Sequence, residues 1–273
     1  MKQDIAIIIP IYKQYSQLNT SELKSLHNTY KVLGAYDIVF VTHQNIGSTA
    51  YFHGTSEDMS FKVEVFPYEY FSGLASYSDL LLSLEFYKRF AGYKYIVICQ
   101  LDVFVFADQL HYFIEKGYDY IGAPWFEGFD QATHESSITG VGNGGFSLRK
   151  VKSFLDVLYA LELFRNRRPT LQILQAVTKH WLNVLRVAKH EFHRRRQAYD
   201  PALPWQTPMY EDGYWGIMVP VFFPWFKVGT VEDAIAFAFE VNPSLLYALN
   251  HNKLPMATHA WEKYDPDFWK PFI

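Results

Sequence analysis

Short, almost unbroken runs of apolar residues alternate along the first part of the chain with segments whose apolar positions recur at helical spacing. Runs of Val and Ile that follow helical segments are typical of parallel strands buried on both faces. The pattern therefore predicts a right-handed β-α-β-α-β beginning. The predicted strands are Asp4–Pro10, Tyr36–Thr42, Phe61–Phe66 and Tyr95–Cys99, and the predicted helices are Leu18–Leu33 and a segment from Ser76 or Ser78 to Arg89.

The later part of the chain continues this alternation with more turns. Its predicted elements are helices at Asp108–Lys116 and Val151–Phe164, a strand at Tyr118–Trp125, a strand after Gly140–Gly145, and a strand or helix at Val231–Glu240. No internal repeat or clear linker divides the 273 residues. We therefore expect a single α/β domain, residues 1–273, with a Rossmann-like, mostly parallel central sheet flanked by helices.

Asp102 comes shortly after the apolar run Tyr95–Cys99, separated from it by Gln100 and Leu101, and a second apolar run follows. Ligands of open α/β sheets bind beyond the carboxyl ends of the strands. A carboxylate among apolar neighbours needs a cation, a metal or several N–H donors. Asp102 is therefore a candidate ligand-binding residue, and a buried Asp that caps a loop explains the same pattern equally well.

Two further stretches carry candidate chemistry. Gly140–Gly145 contains four glycines in six residues, which predicts either a tight turn or a backbone that a ligand approaches closely. Glu211 and Asp212 are adjacent acids among aromatic residues, and Asp212 is either a helix N-cap or a general base for a sugar hydroxyl. Because aromatic residues make up 18% of the chain, more than a core needs, a cleft that stacks sugar rings is expected.

The charge is distributed unevenly. A net charge of −3 argues against a nucleic-acid-binding protein, yet residues 165–196 carry nine Lys and Arg side chains against Glu191 alone. Apolar positions recur at helical spacing in this stretch, so a basic helical insertion is predicted within 165–198. Such a helix either packs on the core with a solvated face or contacts an anionic membrane or a phosphate-bearing acceptor.

Cysteine content and hydropathy bear on localisation. Cys99 is the one cysteine, which excludes intramolecular disulfides and cysteine-cluster metal sites. The sequence begins on a predicted strand without a signal-peptide pattern, and no apolar run reaches the roughly 18 residues of a membrane span. We expect a cytoplasmic protein, with the basic helix as its candidate for peripheral contact at the inner membrane face.

Seven stretches, spread over nearly the whole chain, together resemble a family of bacterial glycosyltransferases of the GT-A type, the DUF5672 family. They are Ile7–Lys13, Glu85–Phe90, Gln100–Phe106, Tyr118–Trp125, Val141–Arg149, Glu211–Asp212 and His259–Glu262. The resemblance implies a nucleotide-binding half at 1–110 and an acceptor half at 111–273. It also implies transfer of a sugar from a nucleotide-sugar donor, expected to be UDP-linked, to a saccharide or a lipid-linked glycan in polysaccharide biosynthesis.

GT-A enzymes commonly hold a divalent metal, Mn²⁺ or Mg²⁺, on the donor diphosphate through an Asp-x-Asp motif. Here Gln100 replaces the first acid, so the resemblance leaves Asp102 and a C-terminal histidine, His259, as the metal ligands, and the replacement puts metal dependence in question. Because the chain leaves the first strand at Pro10 and must pass the ligand edge of the sheet, Tyr12 is expected to lie against the nucleotide base. Pro10, Tyr12, Gln100 and Asp102 are thus the predicted donor-binding residues.

The resemblance also assigns roles at the acceptor side. Asp212 is the expected base of an inverting reaction, and Glu211 is expected to orient the acceptor. Gly144 and Gly145 are expected to let the backbone approach the donor sugar, and Trp125 to stack on a sugar face. Trp215 is expected to contribute to the aromatic setting of the acceptor.

Two other classes of protein remain open at this point. A carbohydrate-binding or nucleotide-sugar-binding module that has kept the fold and lost catalysis is suggested by Gln100, whereas Asp102, Asp212 and His259 argue against it. A nucleotidyltransferase would carry a glycine-rich basic loop after the first strand, and Ile11–Lys13 contains no glycine.

Overall fold

A computed structural model describes residues 4–52, 60–165 and 210–273. The basic segment predicted within 165–198 falls outside these residues, apart from the end of one helix at Arg165. The proposed contacts of that segment with a membrane or an acceptor therefore stay predictions. No helix in the described part of the chain is long and apolar enough to cross a membrane.

Strands form a central sheet and two small accessory sheets. The strands are β1 (Ile5–Pro10), β2 (Asp37–Thr42), β3 (Phe61–Val65), β4 (Tyr95–Cys99), β5 (Val103–Val105), β6 (Tyr120–Ile121), β7 (Pro124–Phe126), β8 (Ile138–Val141), β9 (Phe146–Lys150), β10 (Ala238–Phe239) and β11 (Ala257–His259). The central sheet has the order β3-β2-β1-β4-β9-β6. β1 to β4 pair in parallel, whereas β9 is antiparallel to both β4 and β6, so the sheet is mixed.

Both faces of the central sheet are buried, as the apolar runs predict. Along β1, Ile5, Ile7 and Ile9 pack into one hydrophobic cluster, and Ala6 and Ile8 pack into another on the opposite face. The helices that supply the covering layers are α1 (Thr20–Leu33), α2 (Leu74–Leu81), α3 (Leu84–Arg89), α4 (Leu110–Glu115) and α5 (Val151–Arg165). Side chains of α1 and α4 join the first cluster, and those of α2, α3 and α5 join the second.

Local capping explains where these helices begin. Asn19 accepts a hydrogen bond from the backbone N–H of Glu22, whose side chain accepts one from the Asn19 N–H in return, which is a capping box at the start of α1. The predicted single helix ending at Arg89 is instead two helices. The side chain of Ser83 caps the second helix by accepting from the Phe86 N–H.

Three predicted elements differ from the structure in ways that shape the site. The predicted strand Tyr118–Trp125 is split, because β6 joins the central sheet and β7 forms a hairpin with β8. The segment Val231–Glu240, left open between helix and strand, is a helix at Val231–Phe237 followed by β10. The apolar run after Asp102 leaves the central sheet as β5 and pairs antiparallel with β11, which ends at His259.

Short helices complete the C-terminal part. They are Val219–Phe222, Val231–Phe237, Pro243–Leu249 and Pro266–Trp269, together with the turn Glu211–Gly213. A π-helical turn, Tyr214–Met218, continues directly from Glu211–Gly213. Such turns occur often at functional sites.

Candidate active site

A cavity of about 300 Å³ lies against the predicted site residues. It is lined by Gln100, Gly144, Glu211, Asp212 and His259, which come from distant parts of the sequence. Among these, Gln100 directly follows β4, so the cavity lies at the carboxyl end of a parallel strand, where α/β sheets bind ligands.

Asp102 and His259 are brought together by the pairing of β5 with β11. Val103 is the register partner of His259, and Asp102 Oδ1 lies 3.3 Å from His259 Nε2. The other ring nitrogen, Nδ1, lies 2.8 Å from Glu240 Oε1. Burial opposes the charged form, but the two carboxylates outweigh it and raise the pKa of His259 to about 10. The pKa of Asp102 is lowered, since His259 outweighs the effect of burial.

Asn143 links the glycine-rich turn to Glu240, and through it to His259. Its side-chain oxygen accepts hydrogen bonds from the backbone N–H groups of Gly145 and Phe146, at 2.7 and 2.9 Å. Its amide Nδ2 donates to Glu240 Oε2 at 2.6 Å. The orientation of Glu240, and through it that of His259, is therefore tied to the turn before β9.

The two adjacent glycines leave room for side chains of the protein itself. A Cβ on Gly145 would lie 2.1 Å from His259 Nε2, closer than any real contact, and a Cβ on Gly144 would lie 3.2 Å from Glu211 Oε1. The imidazole ring by itself therefore requires a glycine at position 145. Gly144 and Gly145 both line the cavity, and the expectation that they let the backbone approach a donor sugar stays a prediction.

Asp102 and His259 fit a divalent metal only as a partial site. The bond from His259 Nδ1 to Glu240 is the arrangement usual for a metal-bound histidine, whose second nitrogen is held by a carboxylate. Among the described residues, no group of three or more His, Cys, Asp or Glu side chains is arranged to hold a metal ion. The diphosphate of a donor and water would have to supply the remaining oxygen ligands.

Asp212 lies in the turn Glu211–Gly213 and lines the cavity. Its Oδ1 accepts a hydrogen bond of 2.8 Å from the Gly213 N–H. The N-cap of this turn is Tyr210, so the interpretation of Asp212 as a helix N-cap is wrong. Burial raises the pKa of Asp212 and the nearby Glu240 raises it further, although the bond from Gly213 opposes both.

Glu211 is committed to a buried ion pair rather than exposed to an acceptor. Arg149, fully buried on β9, donates from Nη1 and Nη2 to the two Glu211 oxygens at 2.9 and 2.8 Å. Ser78 accepts a hydrogen bond from the Glu211 backbone N–H at 2.7 Å. Burial raises the pKa of Glu211 to about 7 against the opposing charge of Arg149. The contacts favour a positioning role for Glu211, beside Asp212, over direct orientation of the acceptor.

A second cavity, of about 290 Å³, contains the predicted position of the nucleotide base. Its lining includes Pro10, Tyr12, Phe71 and Leu74. It shares Leu74, Tyr77 and Gln100 with the first cavity, so the two are adjacent. Tyr12 is 53% exposed, which leaves its ring available for stacking.

The two predicted tryptophans differ in position. Trp125 is largely buried but lines the first cavity. The prediction for Trp215 is wrong, because its ring is completely buried, packs 4.1 Å from the Phe154 ring centre and donates from Nε1 to the Leu81 carbonyl. Trp215 therefore belongs to the hydrophobic core and has no face open to a sugar.

Several residues of the site escaped the sequence analysis. Arg149 and Asn143 were read only as parts of a strand and a turn, and Glu240 only as the end of an element. Lys263 follows His259 by four residues, and its charge lowers the pKa of Asp102. The sequence gives no clear signal for Arg149, because the strand Phe146–Lys150 also contains Ser147 and Lys150, and only the fold shows that Arg149 is buried and needs an acidic partner.

Comparison with known proteins gives one match at the family level. The sequence profile of the DUF5672 family, described as a protein of unknown function, matches residues 60–259. This range covers most of the chain and contains Asp102, Asp212 and His259. No curated protein matches the sequence.

Several solved structures of glycosyltransferases are similar to this chain. Mouse xyloside xylosyltransferase 1, in its apo form, superposes with a TM-score of 0.50 and 12% identity, over 94% of this chain and 97% of that chain. A glycosyltransferase involved in the glycosylation of the major capsid of PBCV-1 gives 0.40 and 13%, over 95% and 96%. Core-mannan synthase A from Aspergillus fumigatus, in a Mn/GDP form, gives 0.38 and 12%, over 64% and 69%. The likeness to the mouse enzyme extends to the fold alone, and the two lower scores add nothing further.

Proposed function

The chain belongs to the DUF5672 family, and we propose that it is a GT-A-type glycosyltransferase that moves a sugar from a nucleotide-sugar to a saccharide or lipid-linked glycan. One observation carries this proposal. His259 and Asp212 line the first of two adjacent cavities at the carboxyl edge of the parallel strands, Asp102 lies 3.3 Å from His259, and the second cavity has the exposed ring of Tyr12 in its lining. The shared fold of a mouse xylosyltransferase supports it.

The donor is proposed to span both cavities. Its base, expected to be uracil, stacks on Tyr12, and Gln100 offers its amide to the ribose. Its diphosphate lies at Asp102 and His259, with the ammonium group of Lys263 nearby. A divalent metal held by Asp102 and His259 would offset the negative charge on the departing diphosphate. Without a metal, a protonated His259 would supply positive charge instead, because its two carboxylate neighbours raise its pKa to about 10; the two arrangements exclude each other, since a metal ligand must be a neutral imidazole.

Asp212 is proposed as the general base. Its carboxylate takes the proton from the acceptor hydroxyl, whose oxygen then forms a bond to the anomeric carbon. The bond from that carbon to the diphosphate breaks, and the nucleoside diphosphate leaves with the electron pair. Attack from the face opposite the leaving group inverts the configuration. The raised pKa of Asp212 suits this role, because a base is most effective when its pKa approaches the working pH.

A catalytically inactive binding module of the same fold is the second candidate, and Gln100 favours it. An amide cannot bind a hard cation as a carboxylate does, so the donor diphosphate would be held by fewer charged groups. Both candidates bind nucleotide-sugars, and they differ only in turnover.

A panel of nucleotide-sugars, incubated with the protein and Mn²⁺ or Mg²⁺, separates the candidates. The proposal predicts slow release of free sugar and nucleoside diphosphate from at least one donor, since water replaces the acceptor. Asp102→Asn should weaken binding of the corresponding nucleoside diphosphate in calorimetry. Asp267→Asn is the matched control, because Asp267 is 82% exposed and pairs with Lys270, outside both cavities. Binding without any hydrolysis would favour the inactive module, and no binding would overturn both.

A further inference from the structure

A third cavity, of about 300 Å³, lies next to the first on the side of the C-terminal segments. It shares Asp130, Val241 and Tyr264 with the first cavity and none of its lining with the Tyr12 cavity. The three cavities therefore form one row in which the Asp212 cavity lies in the middle. A donor in the first two leaves the third available for the other substrate.

Phe129 lies in the lining of the Asp212 cavity, next to Asp130. Its side chain is 60% exposed, and no aromatic ring of the described residues packs against it. Its backbone is left-handed, with φ of 50°, directly after Gly128 with φ of 86°. A left-handed conformation is unfavourable for a bulky residue, and such conformations cluster at binding sites.

The loop that carries Phe129 is held in place by hydrogen bonds. The Gln131 N–H donates to the Gly128 carbonyl at 3.0 Å, and the Ala132 N–H donates to the Phe129 carbonyl at 3.1 Å. Asn242 Nδ2 donates to the Thr133 carbonyl at 2.8 Å and so ties the loop to the opposite wall of the third cavity. The exposed ring is thus presented on a fixed backbone.

The third cavity has a polar lining of nearly balanced charge. It contains the carboxylates Asp130 and Asp265, the imidazole of His134, the amide of Asn242 and the ammonium of Lys263, which donates to the Tyr264 hydroxyl at 2.7 Å. Carboxylate and amide groups bind hydroxyl groups well, whereas a phosphate or anionic lipid would need an excess of cations. This chemistry, beside an exposed aromatic ring, suits a neutral sugar.

We propose that Phe129 and the third cavity form an acceptor subsite that binds a second sugar unit, so that the acceptor is an oligosaccharide of at least two units. This inference rests on the proposed glycosyltransferase function. Phe129 lines the middle cavity next to Asp130, which lines both cavities, so Phe129 stacks on the second sugar ring where the two cavities meet and Asp130 accepts hydrogen bonds from its hydroxyl groups. The reacting sugar lies in the middle cavity, beside Asp212.

An array of neutral monosaccharides and oligosaccharides of two to five units, probed with the full-length protein, tests this inference. At least one oligosaccharide should bind several-fold more tightly than its own terminal monosaccharide. Phe129→Ala should weaken that binding roughly three- to tenfold, the range expected for an aromatic contact. Phe129→Tyr should restore it, and Tyr112→Ala, which removes an exposed ring from α4, should leave it unchanged.

Binding of nucleoside diphosphate, measured on the same variants, distinguishes failure of the acceptor-subsite proposal from failure of the glycosyltransferase proposal. Phe129→Ala should not change it, since Phe129 is absent from the Tyr12 cavity and is not among Tyr12, Gln100, Asp102 and His259, the residues proposed to hold the nucleoside diphosphate. Normal nucleotide binding without a chain-length preference, or with a preference that Phe129→Ala does not alter, would overturn the acceptor subsite alone. Oligosaccharide binding that depends on Phe129 in a protein that binds no nucleotide would support the subsite and overturn the glycosyltransferase proposal.

Discussion

At the scale of single residues, the environment of Asp212 predicts how turnover depends on pH. Burial and Glu240 raise its pKa, and a general base must be deprotonated to act. Turnover should therefore fall with decreasing pH already above the value of about 3.9 at which an ordinary Asp titrates. A pH–rate profile under saturating donor measures this. An acid limb at or below the ordinary Asp value would contradict the assignment.

Tyr12 offers a second test at this scale. Its ring is half-exposed in the lining of the second cavity, so Tyr12→Ala should weaken nucleoside diphosphate binding by about 1–3 kcal/mol, as for base–aromatic stacking elsewhere. Tyr12→Phe keeps the ring and should bind normally. Calorimetry that finds equal affinities for Tyr12→Ala and the unaltered protein would exclude stacking at this position.

The sequence predicted some site residues and not others for a physical reason. Asp102 could be identified because a carboxylate after a buried strand is a local feature. Trp215 and Glu211 stand beside Asp212 in the sequence, yet both are turned into the core. Trp215 packs against Phe154, and Glu211 forms an ion pair with Arg149. No local sequence pattern specifies partners that are so distant along the chain.

At the scale of elements, the pair Arg149–Glu211 joins β9 to the turn that carries Asp212. Arg149→Met would leave a buried carboxylate without its cation, which should lower the free energy of unfolding by about 3–5 kcal/mol. Adding Glu211→Gln should recover part of the loss. Denaturant unfolding measures both.

The surface pair Arg89–Glu64 provides the control for this experiment. Its N–O distance of 2.9 Å is like that of the buried pair, but the two side chains are 44% and 28% exposed. Arg89→Met should therefore cost less than about 1 kcal/mol. Equal losses for Arg89→Met and Arg149→Met would show that the buried pair does not hold β9 to the turn.

The second prediction at this scale concerns the close approach of the turn before β9 to His259, the last residue of β11. Gly145→Ala would force His259 away from Asp102, because the new Cβ would lie 2.1 Å from Nε2. Nucleoside diphosphate affinity in Mn²⁺ should fall at least about tenfold, the usual effect of disturbing a ligand's support. Gly92→Ala, with no atom within 4 Å of its Cβ, is the matched control. Unchanged affinity in Gly145→Ala would show that nucleotide binding does not depend on the position of His259.

Strands and helices were largely predictable, and the exceptions depend on long-range pairing. The runs at β1, β2 and β4 were recognised because strands buried on both faces are continuously apolar. The departure of β5 from the central sheet, which brings Asp102 to His259, depends on pairing with β11 more than 150 positions later. The hydrophobic periodicity of a short segment gives no information about a strand that pairs with it from so far along the chain.

At the scale of the whole molecule, three adjacent cavities follow one another, from the Tyr12 cavity through the Asp212 cavity to the third cavity, which contains Asp265. The sequence predicted which edge of the sheet binds ligands, because chain order determines the direction of the parallel strands. The third cavity lies where the loop between β7 and β8 meets the C-terminal segments. Only the fold shows that these distant parts of the chain come together. The two outer cavities share no lining residue, which is the arrangement that the proposal of separate donor and acceptor sites requires.

The most direct test of the central claim is the rate of sugar release from a hydrolysable nucleotide-sugar by Asp212→Asn, measured together with donor affinity. The substitution keeps the shape of the side chain and removes its basicity. We predict a donor dissociation constant within about twofold of the unaltered protein and a rate lower by about 10²–10⁴-fold, the usual contribution of a general base. A near-normal rate with bound donor would contradict the account, because a base cannot be replaced by an amide.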